Sequence, residues 1–187
     1  MNVYEAITSR RTVRKYKPVP VKNEDLVKMI ECARISPTGA NLQSLKYSII
    51  ADEEKRRAIY PYVKYAGYIP EWDPSFEESP MAFIAVLNDT SIKQSPKAEA
   101  DSGGAIMSMC LMAKELGLDT CWLGAVNREE VKKIMGYDDK LDILYLLAVG
   151  YADQSGDFYE CDDDVKYYFD GEGNVHVPKR SLENIIV

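Results

Sequence analysis

The longest apolar runs in the chain predict two buried strands and one buried helix. Met81 to Leu87 is continuously apolar, as is most of Leu141 to Tyr151, and such runs are typical of strands covered on both faces. Between them, residues 98–116 carry apolar side chains on nearly every side, and Leu116-Gly117 supplies a C-terminal stop. A helix of this kind belongs in a core or at a subunit interface.

Apolar residues at helical spacing predict the remaining helices. These cover residues 3–7, Asn23 to Ser36, 53–66 and 127–136. Asn23 is a residue type suited to the N-cap, and Ser36-Pro37 closes that helix because a residue before proline disfavours the α region. Pro61 lies inside the third segment, so a break or restart is expected there. The last helix is expected to end at Gly136.

The segments between the helices complete an α+β pattern. Leu45 to Ala51 predicts a strand, Cys121 to Val126 a short strand or turn, and Asp170 to Asn174 a hairpin. Tyr65 to Pro80 combines aromatics, prolines and acids, and is expected to form an irregular loop or lid. No repeat or change of composition divides the chain, so residues 1–187 are predicted to form one α+β domain.

The composition narrows the possible partners. The 187 residues carry a formal charge of −7, which disfavours binding to a nucleic-acid backbone. No apolar stretch approaches the ~20 residues that cross a bilayer. Met1 to Glu5 lacks the basic and apolar regions of a signal peptide. A cytoplasmic protein without nucleic-acid or membrane partners is therefore predicted.

Cysteine and histidine usage limits the chemistry. The cysteines, at positions 32, 110, 121 and 161, form no Cys-x-x-Cys pair, which argues against a disulfide framework or a structural zinc site. Cys32 and Cys110 lie in apolar helical segments and are expected to be small core residues. His176 is the only histidine, so a multi-histidine metal site is excluded. If the chain is an enzyme, a cofactor is expected to carry the chemistry.

Arg10-Arg11-Thr12-Val13-Arg14 places three guanidinium groups beside a hydroxyl in an otherwise acidic chain. Guanidinium forks match phosphate oxygens bidentately. In an extended segment Arg10, Thr12 and Arg14 would share one face, with Arg11 and Val13 on the other. Taken alone, a solvated charge patch is the simpler interpretation, and a site for a small anionic ligand is the alternative.

Three further motifs also have an ordinary and a functional interpretation. Gly124 either forms a plain turn or lets a planar ligand approach the backbone. The loop from Pro37 to Asn41 is either a small-residue turn or a source of free backbone N–H groups for polar ring edges. Lys179-Arg180 is either a solvated basic pair or part of an anion site.

The glycine pair Gly103-Gly104 falls inside the predicted long helix. Each glycine weakens a helix by about 1 kcal/mol. Close packing of a neighbouring helix or ring would explain the pair. The alternative is a helix that begins later, near Ala105.

Taken together and in order, these motifs resemble the nitroreductase family of FMN-dependent oxidoreductases. The matching segments are residues 9–14, 36–43, 115–124, 147–151 and 178–183. Each motif is weak alone, but the ordered set spans both ends and the middle of the chain. The resemblance implies a nitroreductase-like α+β fold, with a central, mostly antiparallel sheet flanked by helices. It also implies an intertwined homodimer with FMN sites at the interface.

The resemblance also implies a role for each motif in holding FMN. The phosphate, the ribityl chain and the N1/C2 side of the ring would be held by Arg10, Arg11, Thr12 and Arg14. The partner subunit would contribute Pro37, Thr38, Gly39 and Asn41. The ring would pack on Leu123 and Gly124, with a backbone N–H near N5, and the phosphate would be closed in by Lys179 or Arg180. No catalytic side chain and no metal are implied.

The chain departs from the family pattern after Gln43. Ser44-Leu45 stands where family members commonly carry a proline and an aromatic residue. A planar acceptor could instead stack on aromatics at positions 60, 62, 65, 68, 72 and 76. The equally simple interpretation is that these are ordinary core and surface aromatics.

The leading functional prediction is an oxidoreductase that passes electrons from NADH or NADPH to a nitroaromatic, quinone or related acceptor by a ping-pong route. One alternative keeps FMN but changes the chemistry to dehalogenation, flavin fragmentation or ring dehydrogenation. Another is a non-catalytic flavin-binding or sensor protein. The sequence does not distinguish NADH, NADPH and ferredoxin as the electron donor.

Overall fold

The computed structural model describes residues 1–69 and 74–187. Its helices are α1 (Val3–Ser9), α2 (Asn23–Arg34), α3 (Glu53–Ile59), α4 (Ser95–Glu115), α5 (Arg128–Met135) and α6 (Leu182–Ile185). Its strands are β1 (Leu45–Ile50), β2 (Ala82–Asp89), β3 (Asp119–Leu123), β4 (Leu141–Gly150), β5 (Gly156–Glu160), β6 (Tyr168–Phe169) and β7 (Val175–Lys179). None of the helices in these ranges is long and apolar enough to cross a membrane.

The central sheet has four antiparallel strands in the order β1-β2-β4-β3. Every residue of β2 is buried, as its continuous apolar run predicted. Thr12 forms an isolated parallel bridge with Thr120, which attaches the arginine-rich segment to the β3 edge. The predicted antiparallel sheet is confirmed.

Apolar side chains cover both faces of this sheet. On one face Ile59 of α3 and Val131 of α5 join the core, and on the other Leu26 of α2 and Ile106 of α4 do so. Tyr16 lies so close to the end of β4 that a methyl group on Gly150 would come within 2.7 Å of its ring. Only glycine fits there, because real side-chain carbons do not approach that closely.

A second sheet has three strands in the order β5-β7-β6. The pairing of β5 with β7 is parallel, and that of β6 with β7 is antiparallel. The β6–β7 turn is the predicted hairpin, closed by a 3.0 Å bond from the Asp170 N–H to the Asn174 carbonyl. Nothing in the polar sequence of this region predicted the parallel pairing.

Two helix starts differ from the sequence prediction. Lys22, and not Asn23, is the N-cap of α2, and no side chain caps it; acidic residues in the first turn favour this helix terminus instead. Helix α4 begins at Ser95, three residues before the predicted start, with Pro96 in its first turn. The alternative start near Ala105 is therefore wrong.

Both glycines of the pair lie inside α4. A methyl group on Gly103 would lie 3.6 Å from the Trp122 ring, an ordinary contact, and one on Gly104 would meet nothing within 4 Å. A ring does lie beside this part of the helix, but the packing within the chain is not tight. Met107 is 42% exposed, so α4 is not buried on every side.

The cysteine prediction is half correct. Cys110 is buried and accepts a hydrogen bond from the Thr120 hydroxyl at 3.3 Å. Cys32 is only partly buried and borders a surface cavity. It is not a core residue because this side of α2 faces the open cavity that α2 forms with α1 and α4.

Several aromatics after α3 have structural partners. The Tyr60 and Phe76 rings meet edge to face at 5.6 Å, and the Arg57 guanidinium lies 3.9 Å from the Phe76 ring centroid. Tyr65 is buried, which supports the structural interpretation for these side chains. Trp72 lies outside the described residues. Pro61 occupies a 3₁₀ turn that follows α3, where the helix was predicted to break.

Candidate flavin site

Four of the predicted cofactor-binding residues line one pocket of about 250 Å³: Arg10, Arg11, Thr12 and Lys179. Its walls are completed by Ile7, Thr8, Phe158 and Val177. The basic side chains come from opposite ends of the sequence. The second sheet brings them together, because β7 ends at Lys179 and β5 carries Phe158.

The arginine-rich segment is fixed by the elements on either side of it. Helix α1 has a capping box between Asn2 and Glu5 and ends at Ser9, so the chain leaves it in an extended conformation. The Val13 N–H then donates to the Thr120 carbonyl at 3.0 Å. The buried Tyr16 hydroxyl donates to the Val13 carbonyl at 2.6 Å. The segment is thereby held against β3.

Arg11 contradicts the predicted alternation, because it lines the same pocket as Arg10. Its Nη1 donates to the carbonyls of Thr8 and Arg10, both at 2.7 Å, and its guanidinium lies 4.6 Å from the Phe158 ring centroid. These bonds turn the side chain back toward α1. Burial and the neighbouring Arg10 lower the pKa of Arg11, and Asp157 opposes them.

Arg14 is buried and does not line the 250 Å³ pocket. Its Nε donates to the Tyr65 carbonyl at 2.8 Å, and the guanidinium lies 4.5 Å from the Tyr167 ring centroid. Its backbone N–H donates to Oε1 of Gln154 at 3.1 Å. The prediction of a shared face with Arg10 and Thr12 is wrong for this side chain, because the Tyr65 carbonyl and the Tyr167 ring hold its guanidinium outside the pocket.

The guanidinium groups retain unused donors, and this tests whether an anionic cofactor fits. Within the described residues, Nε of Arg11 and Nη1 of Arg14 are buried without a hydrogen-bond partner. No carboxylate of residues 1–69 or 74–187 forms an ion pair with Arg10, Arg11 or Arg14. A buried unpaired donor costs about 1–3 kcal/mol. The residues present therefore fit a phosphate-bearing group such as FMN, which would supply the missing acceptors.

The loop from Pro37 to Asn41 lies elsewhere on the chain. Pro37 borders a separate cavity of about 540 Å³, formed mainly by α1, α4 and the end of α2. The Gly39 N–H donates to Oδ1 of Asp101 at 2.9 Å, and the Asn41 N–H donates to the Thr38 carbonyl at 2.9 Å. The expectation that these N–H groups are free is wrong, since the loop satisfies them itself or through α4.

The same loop holds an unusual backbone conformation. Ala40, Asn41 and Gln43 have φ angles of 51°, 52° and 53°, in the left-handed region that L-residues seldom adopt. Clusters of this kind occur where the surrounding structure enforces them, often at functional sites.

Leu123 is the last residue of β3, against which the arginine-rich segment packs, and Gly124 follows it. Leu123 is buried in the core, whereas Gly124 is exposed beside the Tyr145 ring. Gly124 lies four residues beyond Thr120, or about 13 Å at the usual rise of a strand. The predicted ring contact and the basic pocket therefore lie along one edge of the sheet.

The structure separates the two basic residues of the tail. Lys179 lines the pocket with Arg10 and Arg11. Arg180 instead donates from Nη1 to the Asp162 carbonyl at 3.0 Å. Strand alternation explains the difference, since successive side chains point to opposite faces.

Sequence reasoning missed three residues around these features. The guanidinium groups of Arg11 and Arg14 lie over the rings of Phe158 and Tyr167. The sequence around these two aromatics is polar and has no apolar periodicity that would have indicated their position. Asp101 holds Gly39. It could have been found, because a carboxylate among the apolar residues of α4 requires a partner when buried.

The fold is thus an α+β structure in which a basic pocket lies beside the β3 edge of the central sheet. The model of the nitroreductase family matches residues 7–68 and 66–151, which is well over half of the sequence. The chain belongs to the nitroreductase family. The predicted family and fold are confirmed.

Individual relatives agree with this assignment. A protein of Archaeoglobus fulgidus, provisionally named NADH dehydrogenase/NAD(P)H nitroreductase, is 25% identical over 163 residues, which cover 84% of this chain and 89% of the relative. The iodotyrosine deiodinase of Thermotoga neapolitana is 25% identical over 169 residues, covering 81% and 89%. A Desulfovibrio desulfuricans protein crystallised in complex with FMN is 25% identical, with a TM-score of 0.70 and coverage of 82% and 88%.

Proposed function

We propose that this chain is an FMN-dependent oxidoreductase that accepts electrons from NADH or NADPH and reduces a nitroaromatic, a quinone or a related small planar acceptor. The observation that carries the proposal is that Arg11, which lines the basic pocket, and Arg14, which lies outside it, each keep a buried guanidinium nitrogen without a partner in the described residues of a chain of net charge −7. Family membership and the names of the relatives support the same reaction class.

Four residues would hold the phosphate end of FMN. Arg10, Arg11 and Lys179 supply positive charge, and the Thr12 hydroxyl supplies a further donor. Phe158 fixes the Arg11 guanidinium from one side, so little side-chain entropy is lost on binding. Arg180 is assigned a weaker role, because its guanidinium already bonds the Asp162 carbonyl.

Arg14 would serve a different part of the cofactor. The Tyr65 carbonyl and the Tyr167 ring fix its guanidinium, and Nη1 stays buried without a hydrogen-bond partner in the described residues. When bound, FMN supplies reversible two-electron transfer between the nicotinamide and the acceptor. A buried positive charge near that group favours whichever of its states is more negative. Leu123 and Gly124 would contact the ring farther along β3.

A homodimer would complete this site. Pro37 borders the cavity between α1, α2 and α4, whereas Arg10, Arg11 and Thr12 line the separate basic pocket, and a second copy would allow both segments to contact one cofactor. Exposed apolar side chains on α1 and α4, including Val3, Ile7 and Met107, are consistent with a subunit interface there. The single domain and the cytoplasmic location stay predictions.

Absorbance and rapid-mixing measurements test the proposal. Apoprotein titrated with FMN should give a saturable flavin spectrum, and NADH or NADPH should bleach it under anaerobic conditions. Addition of a nitroaromatic or a quinone should then restore the colour. Lys133→Ala, which removes an exposed surface charge paired with Glu130, serves as the control. Absence of FMN binding, or of bleaching by both nicotinamides, would contradict the proposal.

A second candidate, reductive dehalogenation, is favoured by the relative from Thermotoga neapolitana. It keeps the same FMN site and changes only the acceptor. Halide release from a halogenated phenol, with no turnover of nitro or quinone acceptors, would select this candidate. FMN binding without turnover of any acceptor would instead select a flavin-binding or sensor protein.

A further inference from the structure

The ion pair between Lys93 and Asp101 is almost fully withdrawn from solvent. Nζ and Oδ2 lie 2.5 Å apart, and the two side chains are 11% and 8% exposed. Asp101 belongs to α4, and Lys93 precedes that helix. Two charges lose substantial solvation when they are buried, so such a pair is weak evidence for a stabilising role. Its presence needs another explanation.

The second oxygen of Asp101 supplies one. Oδ1 accepts the Gly39 N–H at 2.9 Å, at the start of the loop with three left-handed residues. The other hydrogen bonds of residues 38–43 stay within the loop, including those of the Asn41 and Gln43 N–H groups. Among residues 1–69 and 74–187, the bond to Asp101 is therefore the only hydrogen bond joining residues 38–43 to a helix or strand.

Lys93 holds the carboxylate in place. Its carbonyl accepts Nδ2 of the buried Asn88 at 2.7 Å, and its N–H donates to the Asp89 carbonyl at 3.2 Å. A methyl group on Gly39 would lie 3.1 Å from Nζ of Lys93 and 3.6 Å from Oδ1 of Asp101. The ammonium group therefore packs directly against the loop backbone.

The charge on Asp101 is maintained in this setting. Burial acts to raise the pKa of Asp101, but the hydrogen bond and charge of Lys93, together with the Gly39 N–H, outweigh it and lower the pKa. An ionised carboxylate accepts hydrogen bonds through both oxygens. Asp101 can thus serve the lysine and the loop at once.

We propose that Asp101 is a positioning residue, which uses Oδ1 to hold the 38–43 loop in its left-handed conformation and so presents Asn41 to the cofactor. This inference rests on the proposed FMN function. Asn41 suits the role because its side-chain amide is exposed and forms no hydrogen bond within the described residues. Lys93 supports this role through its ion pair with the other oxygen of Asp101, Oδ2.

Two double variants isolate the hydrogen-bond acceptor. Lys93→Met with Asp101→Leu replaces the pair by apolar side chains, whereas Lys93→Met with Asp101→Asn also removes both charges but retains Oδ1. The leucine variant should bind FMN about tenfold more weakly than wild type or worse, and the asparagine variant within about threefold. Thermal unfolding of both apoproteins identifies any shared loss of stability.

Hydrogen exchange gives a readout that does not depend on FMN. In the apoprotein, a peptide covering residues 36–44 should exchange faster in the leucine variant than in the asparagine variant or wild type. Lys114→Gln is the matched control, because it breaks a largely buried ion pair with Asp119 at the other end of α4. It should leave exchange in residues 36–44 unchanged.

The outcomes separate the two proposals. Equal FMN affinity and equal exchange in both double variants would overturn the role of Asp101, as would an equal loss in both. If wild type itself fails to bind FMN, the proposed function fails, and the exchange comparison alone decides whether Asp101 holds the loop.

Discussion

The arginine-rich segment, residues 10–14, and the left-handed loop, residues 38–43, are both assigned to one cofactor, yet they differ in construction. The segment is anchored through its backbone to β3, and two of its buried guanidinium nitrogens have no partner in the described structure. In the loop, the backbone N–H groups of Gly39, Asn41 and Gln43 already donate hydrogen bonds within the protein. Three of its residues have φ angles in the strained left-handed region.

Because of this difference, the arginine-rich segment is expected to determine how tightly the cofactor binds, and the loop to determine the shape of the site. Unpaired donors gain free energy when a ligand arrives, so substitutions in the segment should act mainly on affinity. A loop that is already hydrogen-bonded gains little from new contacts, and its substitutions should act mainly on conformation and stability. Four predictions follow this division, in order of decreasing effect.

Arg14→Ala should have the largest effect. Loss of a charge-assisted contact is expected to weaken FMN binding by about 1.5–3 kcal/mol, or roughly 10- to 150-fold. Quenching of flavin fluorescence on titration of the apoprotein measures it, with Lys133→Ala as the control. Because Arg14 also bonds the Tyr65 carbonyl, the melting temperature is recorded in parallel. An unchanged dissociation constant would show that Nη1 does not face the cofactor.

Lys179→Ala should weaken FMN binding by about three- to tenfold, since an exposed ion pair contributes up to about 1 kcal/mol and a phosphate contact somewhat more. Arg180→Ala should change it less than about twofold, because this guanidinium bonds the Asp162 carbonyl outside the pocket. Paired titrations of the two variants measure the difference. A larger loss for Arg180→Ala would reverse their assignment.

Ala40→Gly should stabilise the apoprotein by about 0.5–1 kcal/mol. Relief of the left-handed conformation is worth about 1–2 kcal/mol, and the extra freedom of glycine in the unfolded chain offsets part of it. Ala100→Gly, at an exposed position inside α4, should lose about 1 kcal/mol instead. Urea unfolding at one fixed protein concentration compares them, and a loss in both would contradict enforced strain at residue 40.

The change in stability of the second sheet, β5-β7-β6, with pH should be the weakest effect. Nδ1 of His176 lies 2.8 Å from Asp157, and Nε2 lies 3.2 Å from Asp170. The hydrogen bonds to Asp170 and Asp157 raise the pKa of His176. The stabilisation is therefore full below about pH 6.5, the value in the unfolded chain, and is lost as pH rises through the higher folded value.

His176→Gln tests this sign. Thermal unfolding of wild type should show a decline in stability above pH 6.5 that the variant lacks. The same decline in both proteins would exclude His176 as its source. Because Asp157 also opposes the lowering of the Arg11 pKa, FMN affinity measured across this range tests whether the second sheet influences the basic pocket.

Much of the fold was predictable because buried strands and helices have recognisable patterns of apolar residues in the sequence. The runs that became β2 and β4 are apolar enough to identify central strands, and the Asn127 cap and the left-handed Gly136 bound α5 as predicted. The polar β5, β6 and β7 lack such a pattern. Their pairing depends on contacts between distant segments, such as Phe158 with Arg11.

The sequence by itself determined the family, the central antiparallel sheet and the residues that bear positive charge, because composition, apolar periodicity and ordered motifs can be read directly from the sequence. The tertiary structure decided which charges share a pocket. Parallel pairing of β5 with β7 carries Lys179 to Arg10, while the Tyr65 carbonyl and the Tyr167 ring take Arg14 away from it. It also decided that Asp101 reaches Gly39 across 62 positions of the chain, a distance at which local pattern carries no information.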